Sequence, residues 1–351
     1  MKITFLTLFP SSFDSFLSFP VTKRAIEKNI VEVNVVDIKE HTDGSFRAID
    51  DSPYGGGAGM LIRVDSLHRA LSKVKTDSSY VVLLSPKGKP YTQEKVRELA
   101  RKKDLILISG HYEGFDKRVE KYVDEEISIG DYILTGGELP SMVVADSVIR
   151  LQEGVLRSSS IEEESFDSSL LEYPQYTHPL SYEGEKVPSI LLSGDKEGID
   201  KWREIEAIKE TIKRRSDLLL PIEKRRSVKE FNYSTLIIYP TEEEVYAYKN
   251  LQDKLPISKV LFEEEPFLLV SKVEGKPLSE ISNSNRVRNA LYSLFQLCLN
   301  SSFSIGSFSL DNVYVSGKGL SGVKDISKCH SCTKTNLISE YKKDSDYDFR
   351  I

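Results

Sequence analysis

Apolar residues recur along this chain in short, nearly unbroken runs, separated by polar turns that carry glycine. Residues 2–9 and 30–38 are rich in β-branched and apolar side chains and predict strands, with a short helix over Thr22–Lys28 between them. Tyr80-Val-Val-Leu-Leu-Ser85 predicts a third strand, Thr92–Arg101 a helix and Leu105-Ile-Leu-Ile-Ser109 a fourth strand. A strand that is apolar at successive positions has both faces covered, so strand–helix–strand with such runs predicts a buried parallel sheet. Glycine-bearing turns follow two of these strands, Pro86-Lys-Gly88 and Gly110-His-Tyr-Glu-Gly114. Open α/β sheets bind ligands beyond the carboxyl ends of their strands, which makes these turns the place to look for chemistry.

Residues 157–170 are polar and serine-rich and read as a linker after a first domain of residues 1–156. Beyond it Trp202, Ile205, Ile208 and Ile212 recur at helical spacing, predicting a helical second domain over 171–222. Pro221 and the charged run Glu223–Arg226 mark a further boundary. A third segment, 225–351, again shows strand-like runs (235–239, 266–271) and a helical one (286–299). Its charged border suggests a separate folding unit.

Composition narrows the class. Hydrophobic residues are 39% and charged residues 29% of 351, a soluble globular balance, and no apolar run approaches the roughly 18 residues that span a bilayer. The start lacks the charged n-region and cleavage site of a signal peptide, so a cytoplasmic protein without membrane partners is expected. Three cysteines are too few for a disulfide framework. The net charge of −6 argues against nucleic acid until its distribution is considered. Ten Lys or Arg lie between Lys201 and Lys229 against five acids, leaving +5 there and −11 elsewhere. Lys213, Arg214 and Arg215 are the densest part. Such a segment fits either phosphate contacts or a solvated helix face laced with i,i+4 pairs.

Three glycine-rich pieces stand out: Tyr54-Gly-Gly-Gly-Ala-Gly-Met60, Ser109–Gly114 and Ile129-Gly-Asp-Tyr-Ile-Leu-Thr-Gly-Gly-Glu-Leu-Pro140. None is a G-x-x-x-x-G-K-[ST] phosphate cradle, and none is a G-x-G-x-x-G turn after the first strand. That excludes the usual triphosphatase, dehydrogenase and Rossmann methyltransferase readings. The five histidines form no spaced metal set. Cys329-His330-Ser331-Cys332 has no second pair to complete a tetrahedral zinc site, so no metal residue is assigned.

Asp50–Met60, Leu84-Ser-Pro86, Gly110–Gly114, Ser128–Pro140, Tyr173-Pro-Gln-Tyr-Thr-His-Pro179 and Val187–Gly194, in this order over about residues 1–222, resemble the signature blocks of the TrmD family of tRNA (guanine-N1)-methyltransferases. The resemblance implies a SPOUT fold, an α/β parallel sheet whose C-terminal part forms a deep trefoil knot, and a homodimer with its active site at the interface. It implies S-adenosylmethionine as donor and associates the activity with magnesium. The implied donor residues are Leu84, Ser85 and Pro86, then Gly110 and Glu113. From the third block come Ile129, Gly130, Asp131, Tyr132, Ile133 and Leu134, followed by Gly136, Gly137 and Pro140.

Methylating N1 of a guanine requires a base for its proton and a cation or donors for the charge developing on O6. The resemblance places the cation at Arg150 and the base at Glu164, where the family has Asp; Glu163 and Asp167 are neighbouring substitutes. Asp50, Tyr54, Gly55, Gly56, Gly57 and Gly59 would help hold the target guanosine 37. His111 stands where the family usually has Arg. A SPOUT ribose 2′-O-methyltransferase and a catalytically impaired tRNA-binding dimer are the competing functions.

The resemblance stops near Leu220. In the rest, Phe262–Leu278, Ile305–Val315 and Gly322–Asp325 resemble the hinge, catalytic loop and metal-binding strand of phosphotransferases with a protein-kinase-like fold. Ser307 then takes the place of the catalytic Asp, and strand 235–239 has no Lys. That implies a degenerate kinase-like domain without activity; an unrelated α+β module is the other reading.

Overall fold

The computed structural model describes residues 1–41, 49–57, 59–156, 170–221, 224–317, 319–333, 336–337 and 339–341. They form two compact units, Met1–Asp167 and Ser168–Ile351.

In the first unit the elements are β1 (Lys2–Thr7), α1 (Pro20–Glu27), β2 (Glu32–Asp37), α2 (Val64–Val74), β3 (Ser79–Pro90), α3 (Gln93–Ala100), β4 (Asp104–Ser109), β5 (Glu125–Ser128) and α4 (Glu138–Ile149). The five strands make one sheet, ordered β2-β1-β4-β3-β5, and every pairing is parallel. The apolar runs at 2–9, 80–85 and 105–109 are its central strands, and the run at 30–38 is an edge strand. β4 is buried at all six positions because side chains on alternate sides meet different cores. Leu105 and Leu107 join Val96, Leu99, Val144 and Val148 on one face, while Ile106 and Ile108 join Leu67, Ala70 and Leu71 on the other. α2, which the apolar pattern did not separate, supplies that second face.

β3 runs past its predicted end. Its ladder with β5 breaks between Leu84 and Lys89, then resumes as Lys89↔Ile127 and Pro90↔Ser128. The Pro86–Gly88 turn is therefore a break inside a strand. At Gly88 the chain passes so close to β5 that a Cβ would lie 2.4 Å from the Ile127 backbone.

The second unit contains α5 (Lys196–Arg215), β6 (Ser227–Glu230), β7 (Ser234–Ile238), α6 (Glu242–Leu251), β8 (Val260–Glu264), β9 (Phe267–Ser271), α7 (Ser284–Ser301), β10 (Val313–Ser316) and β11 (Gly319–Val323). β6-β7-β9-β8 form an antiparallel sheet and β10–β11 a hairpin. α6 begins with a capping box: the Glu244 amide donates to the Thr241 hydroxyl and the Thr241 amide to the Glu244 carboxylate. The sequence Thr-Glu-Glu-Glu carried that signal.

The segments 171–222 and 225–351, separate in the sequence reading, share one core. Ala207, Ile208 and Ile212 of α5 and Leu219 pack with Leu236, Ile238, Phe267 and Leu269 of the sheet. Glu204 of α5 also accepts from the Asn232 amide (2.8 Å), the Tyr233 amide (2.9 Å) and the Ser234 hydroxyl (2.8 Å). The charged run at 223–226 therefore does not mark a break in packing.

Candidate functional site

The break inside β3 and the carboxyl ends of β4 and β5 open onto a cavity of about 530 Å3 in the first unit. Thirteen of the fourteen residues assigned to donor binding line it: Leu84, Ser85, Pro86, Gly110, Glu113, Ile129, Gly130, Tyr132, Ile133, Leu134, Gly136, Gly137 and Pro140. Asp131 is exposed and does not line it. The size suits a molecule of several rings and a polar tail.

Glycine lets backbone lie directly on backbone in this wall. A Cβ on Gly137 would sit 2.4 Å from the Gly110 amide nitrogen and 2.7 Å from Ser109 Cα, so the 129–137 loop lies directly on the end of β4. The Gly137 amide donates to the Gly110 carbonyl at 2.6 Å. Gly130 has φ +154°, and a Cβ there would strike the Tyr132 ring at 2.5 Å. Ser109 and Ser141 hydroxyls, 2.8 Å apart in the interior, pin α4 beneath the loop.

Of two polar groups here, Glu138 escaped the sequence reading, while His111 was singled out in it as a binding-loop residue. Glu138 is buried, and Thr7 donates to its Oε1 at 2.8 Å. His111 lines the cavity between the rings of Phe9 and Tyr112, 4.8 Å from each. Its Nδ1 is buried with no hydrogen-bond partner among the described residues. Such an atom costs about 1–3 kcal/mol unless a ligand or water meets it. Lys87, Phe115 and Thr135 also line the cavity; Lys87 sits in the Pro86–Gly88 turn, Phe115 directly after Gly114 and Thr135 inside the third glycine-rich piece.

The 54–60 loop has its own geometry. Gly55, Gly56, Gly57 and Gly59 all have positive φ, and Tyr54 is fully exposed. A Cβ on Gly59 would overlap Glu113 Cγ at 2.3 Å, and the Glu113 amide donates to the Met60 carbonyl at 3.0 Å. The loop is thereby seated on a cavity residue. Burial, then the neighbouring Asp50 carboxylate, raises the Tyr112 hydroxyl above its usual range. Arg150 caps the C-terminus of α4 and does not line the cavity. Glu164, Glu163 and Asp167 lie outside the described residues.

In the second unit Lys213, Arg214 and Arg215 form the last turn of α5, where cations complement the helix dipole. Arg214 Nε donates to Glu210 at 2.6 Å, Arg215 pairs with Asp217 at 2.8 Å, and Lys213 Nζ lies 5.6 Å from the Phe262 ring centre. Acids on the same stretch thus meet several of its cations, as the solvated-face alternative expects. Among the described residues no group of three His, Cys, Asp or Glu gathers to hold a metal ion, and no helix is long and apolar enough to cross a membrane.

Residues 1–221 match the family model described as tRNA (Guanine-1)-methyltransferase TrmD. A protein of Syntrophomonas wolfei named tRNA (guanine-N(1)-)-methyltransferase is 51% identical over 221 residues, 63% of this chain and 91% of that protein. Proteins of the same name from Mycoplasmopsis agalactiae and Geobacillus kaustophilus are 48% and 49% identical, covering 62% of this chain and 97% and 91% of their own lengths.

Proposed function

The chain belongs to the TrmD family and is a tRNA (guanine-N1)-methyltransferase, and on that premise we propose that it draws the methyl group from S-adenosylmethionine in the 530 Å3 cavity and places it on guanosine 37. The observation that carries this reading is the cavity itself. It is a backbone cradle at the strand ends, formed by the loops 84–87, 110–114 and 129–137, where a Cβ at Gly130, Gly136 or Gly137 would occupy space. Backbone amides and carbonyls at such loop ends read the edge of a purine, and the unpartnered His111 Nδ1 offers one further contact.

When bound, S-adenosylmethionine supplies an electrophilic methyl on sulfonium. The residues do the rest. The 54–60 loop and Asp50 hold the guanine; Glu164 accepts the N1 proton as the N1–CH3 bond forms and the S–CH3 bond breaks; Arg150 stabilises the charge that collects on O6. Glu164 is one methylene longer than Asp, and ~1 Å of misplacement is worth about a hundredfold in rate. Lys213–Arg215 contact tRNA phosphates. No described carboxylate set fits a magnesium ion, and no step is assigned to one.

Two further features support the finer fold reading. The close passes at Gly88 and Gly137 are what a trefoil knot requires of a chain threaded past its own strands. Ile133, Leu139 and Val143 are large, apolar and exposed, the last two one turn apart on α4, which suits a homodimer face completing the active site. Residues 225–351 are an α+β module in which Ser307 replaces the carboxylate that phosphoryl transfer needs.

The test is methyl transfer to tRNA transcripts with guanosine or adenosine at position 37, for the wild type and Glu164→Gln. Product 1-methylguanosine should appear with the guanosine transcript alone, and the Gln variant should lose at least ~100-fold in kcat. Methyl recovered on a ribose oxygen, or donor and tRNA binding without transfer, would refute the reading in favour of its two rivals.

A further inference from the structure

The family match ends at residue 221, so the sheet from Ser227 onward lies outside it and its effect on α5 is a property of this chain. One face of that sheet takes the apolar stripe of α5. The other, with Thr235, Ile237 and Val270, lines a second cavity, of about 340 Å3. Apolar burial holds a helix against a sheet but is non-directional, so it resists separation better than sliding or rotation. A directional contact is needed to fix the helix in place.

Glu204 supplies it. Its Oε2 accepts from the Asn232 amide at 2.8 Å, and its Oε1 from the Tyr233 amide at 2.9 Å and the Ser234 hydroxyl at 2.8 Å. The turn that offers these donors is itself closed. The Phe231 amide donates to the Ser234 carbonyl at 2.9 Å, and Lys272 Nζ to the Phe231 carbonyl at 3.0 Å. Among the described residues no cation pairs with Glu204, so its charge is met by the three donors of the turn. Hydrogen bonds to an ionised acceptor are the strong ones. Glu204 lies nine residues before Lys213, about 14 Å along the helix axis. A helix is stiff over that length, so a point fixed at Glu204 fixes the last turn too.

We propose that Glu204 is a positioning residue for tRNA. It locks α5 to the 231–234 turn, and the module from Ser227 onward thereby sets where Lys213, Arg214 and Arg215 meet the tRNA backbone. This rests on the reading that those three cations contact tRNA phosphates. In this role Glu204 touches no substrate and acts through the helix. Glutamine at 204 would keep the volume of the side chain but turn one acceptor into an N–H group facing the donors of the turn.

Methyl transfer to the guanosine 37 transcript is measured, well below the melting temperature, for four forms of the full chain: wild type, Glu204→Gln, the triple variant Lys213→Gln, Arg214→Gln, Arg215→Gln, and the two combined. Glu204→Gln should raise the tRNA KM at least ~5-fold and leave kcat and the Kd for S-adenosylmethionine within ~2-fold. It should also flatten the fall of tRNA affinity with salt, because fewer phosphates are met at once, whereas lost stability alone leaves that slope unchanged. Added to the triple variant it should do nothing further, since the cations that it places are gone. Ser234→Ala removes one of the three donors and should show the same pattern at smaller size, which keeps the test decisive if the Gln variant melts early. An unchanged KM in both variants, a matching fall in donor affinity, or a full further rise on top of the triple variant overturns the positioning role and leaves the phosphate reading standing. A triple variant that binds tRNA like the wild type overturns the phosphate reading, and the positioning role with it.

Discussion

The two cavities are built from opposite materials. The first is shaped by backbone: its three loops, 84–87, 110–114 and 129–137, are each contiguous in sequence, and the last two press on one another at Gly136 and Gly137. The second is walled by side chains from strands and helices spread over the 226–325 stretch, and no run of residues announces it. A backbone-walled site must be spelled with glycine, so it leaves a motif. A side-chain-walled site is spelled with ordinary Val, Ile, Tyr and Lys, and becomes a site only when register brings them together.

The largest effect should come from adding one side chain to the backbone-walled cavity. Gly137→Val places carbon within 2.4–2.7 Å of backbone atoms of Ser109 and Gly110, which have no rotamer to yield. Loss of donor affinity beyond ~100-fold by calorimetry is expected, whereas Thr235→Val in the other cavity should leave donor affinity unchanged. Equal tolerance at both positions would erase the contrast.

Next in size is Arg150→Ala. Because Arg150 does not line the donor cavity, kcat should fall ~100-fold or more while the Kd for S-adenosylmethionine stays within ~3-fold. A parallel fall in donor affinity would move Arg150 into the donor site.

A smaller effect, in stability, should follow Leu269→Ala. Leu269 is fully buried between the sheet and α5, and truncation of such a residue costs about 2–5 kcal/mol in urea unfolding. The tRNA KM should rise with it, since the same core holds the basic helix, while donor affinity stays constant. Cutting the chain at residue 223 bares the same faces of Ile208, Ile212 and Leu219 and should give the larger loss of the two.

The smallest effect is a pH dependence confined to the second unit. His330 Nδ1 meets the Lys328 carbonyl at 3.0 Å and Nε2 meets Glu340 at 2.8 Å; the carbonyl first, and the carboxylate after it, raise the imidazole above its usual range. A raised pKa means stability that is fully present below about 6.5 and lost as pH climbs through the folded value. The melting temperature of the second unit should therefore drop slightly between pH 6 and pH 8, and His330→Gln should flatten that slope.

Much of the first unit was legible in its residues. Apolar runs at 80–85 and 105–109 specified buried parallel strands because only a strand covered on both faces can be apolar throughout, and glycine clusters marked the loops because only glycine allows backbone to lie on backbone. α2 and the continuation of β3 to Pro90 were not legible, since a helix face and a resumed ladder have meaning only against the strand they meet. Glu138, and the burial of His111 Nδ1, were hidden for the same reason: burial and the absence or presence of a partner are properties of the assembled site.

For the second unit the sequence by itself determined the α5 period, the strands near 235 and 267 and the helical run over 286–299, whereas α6 with its capping box at Thr241 went unread. Tertiary structure alone decided that α5 shares a core with that sheet and that Arg226, nearly twenty residues from Glu244 and a hundred from Asp325, stands between them. The physical reason is the range of the forces involved. Propensity, capping and glycine geometry act within a few residues and are written locally, whereas ion pairing and apolar burial act through space and depend on which distant faces the packed chain brings into contact.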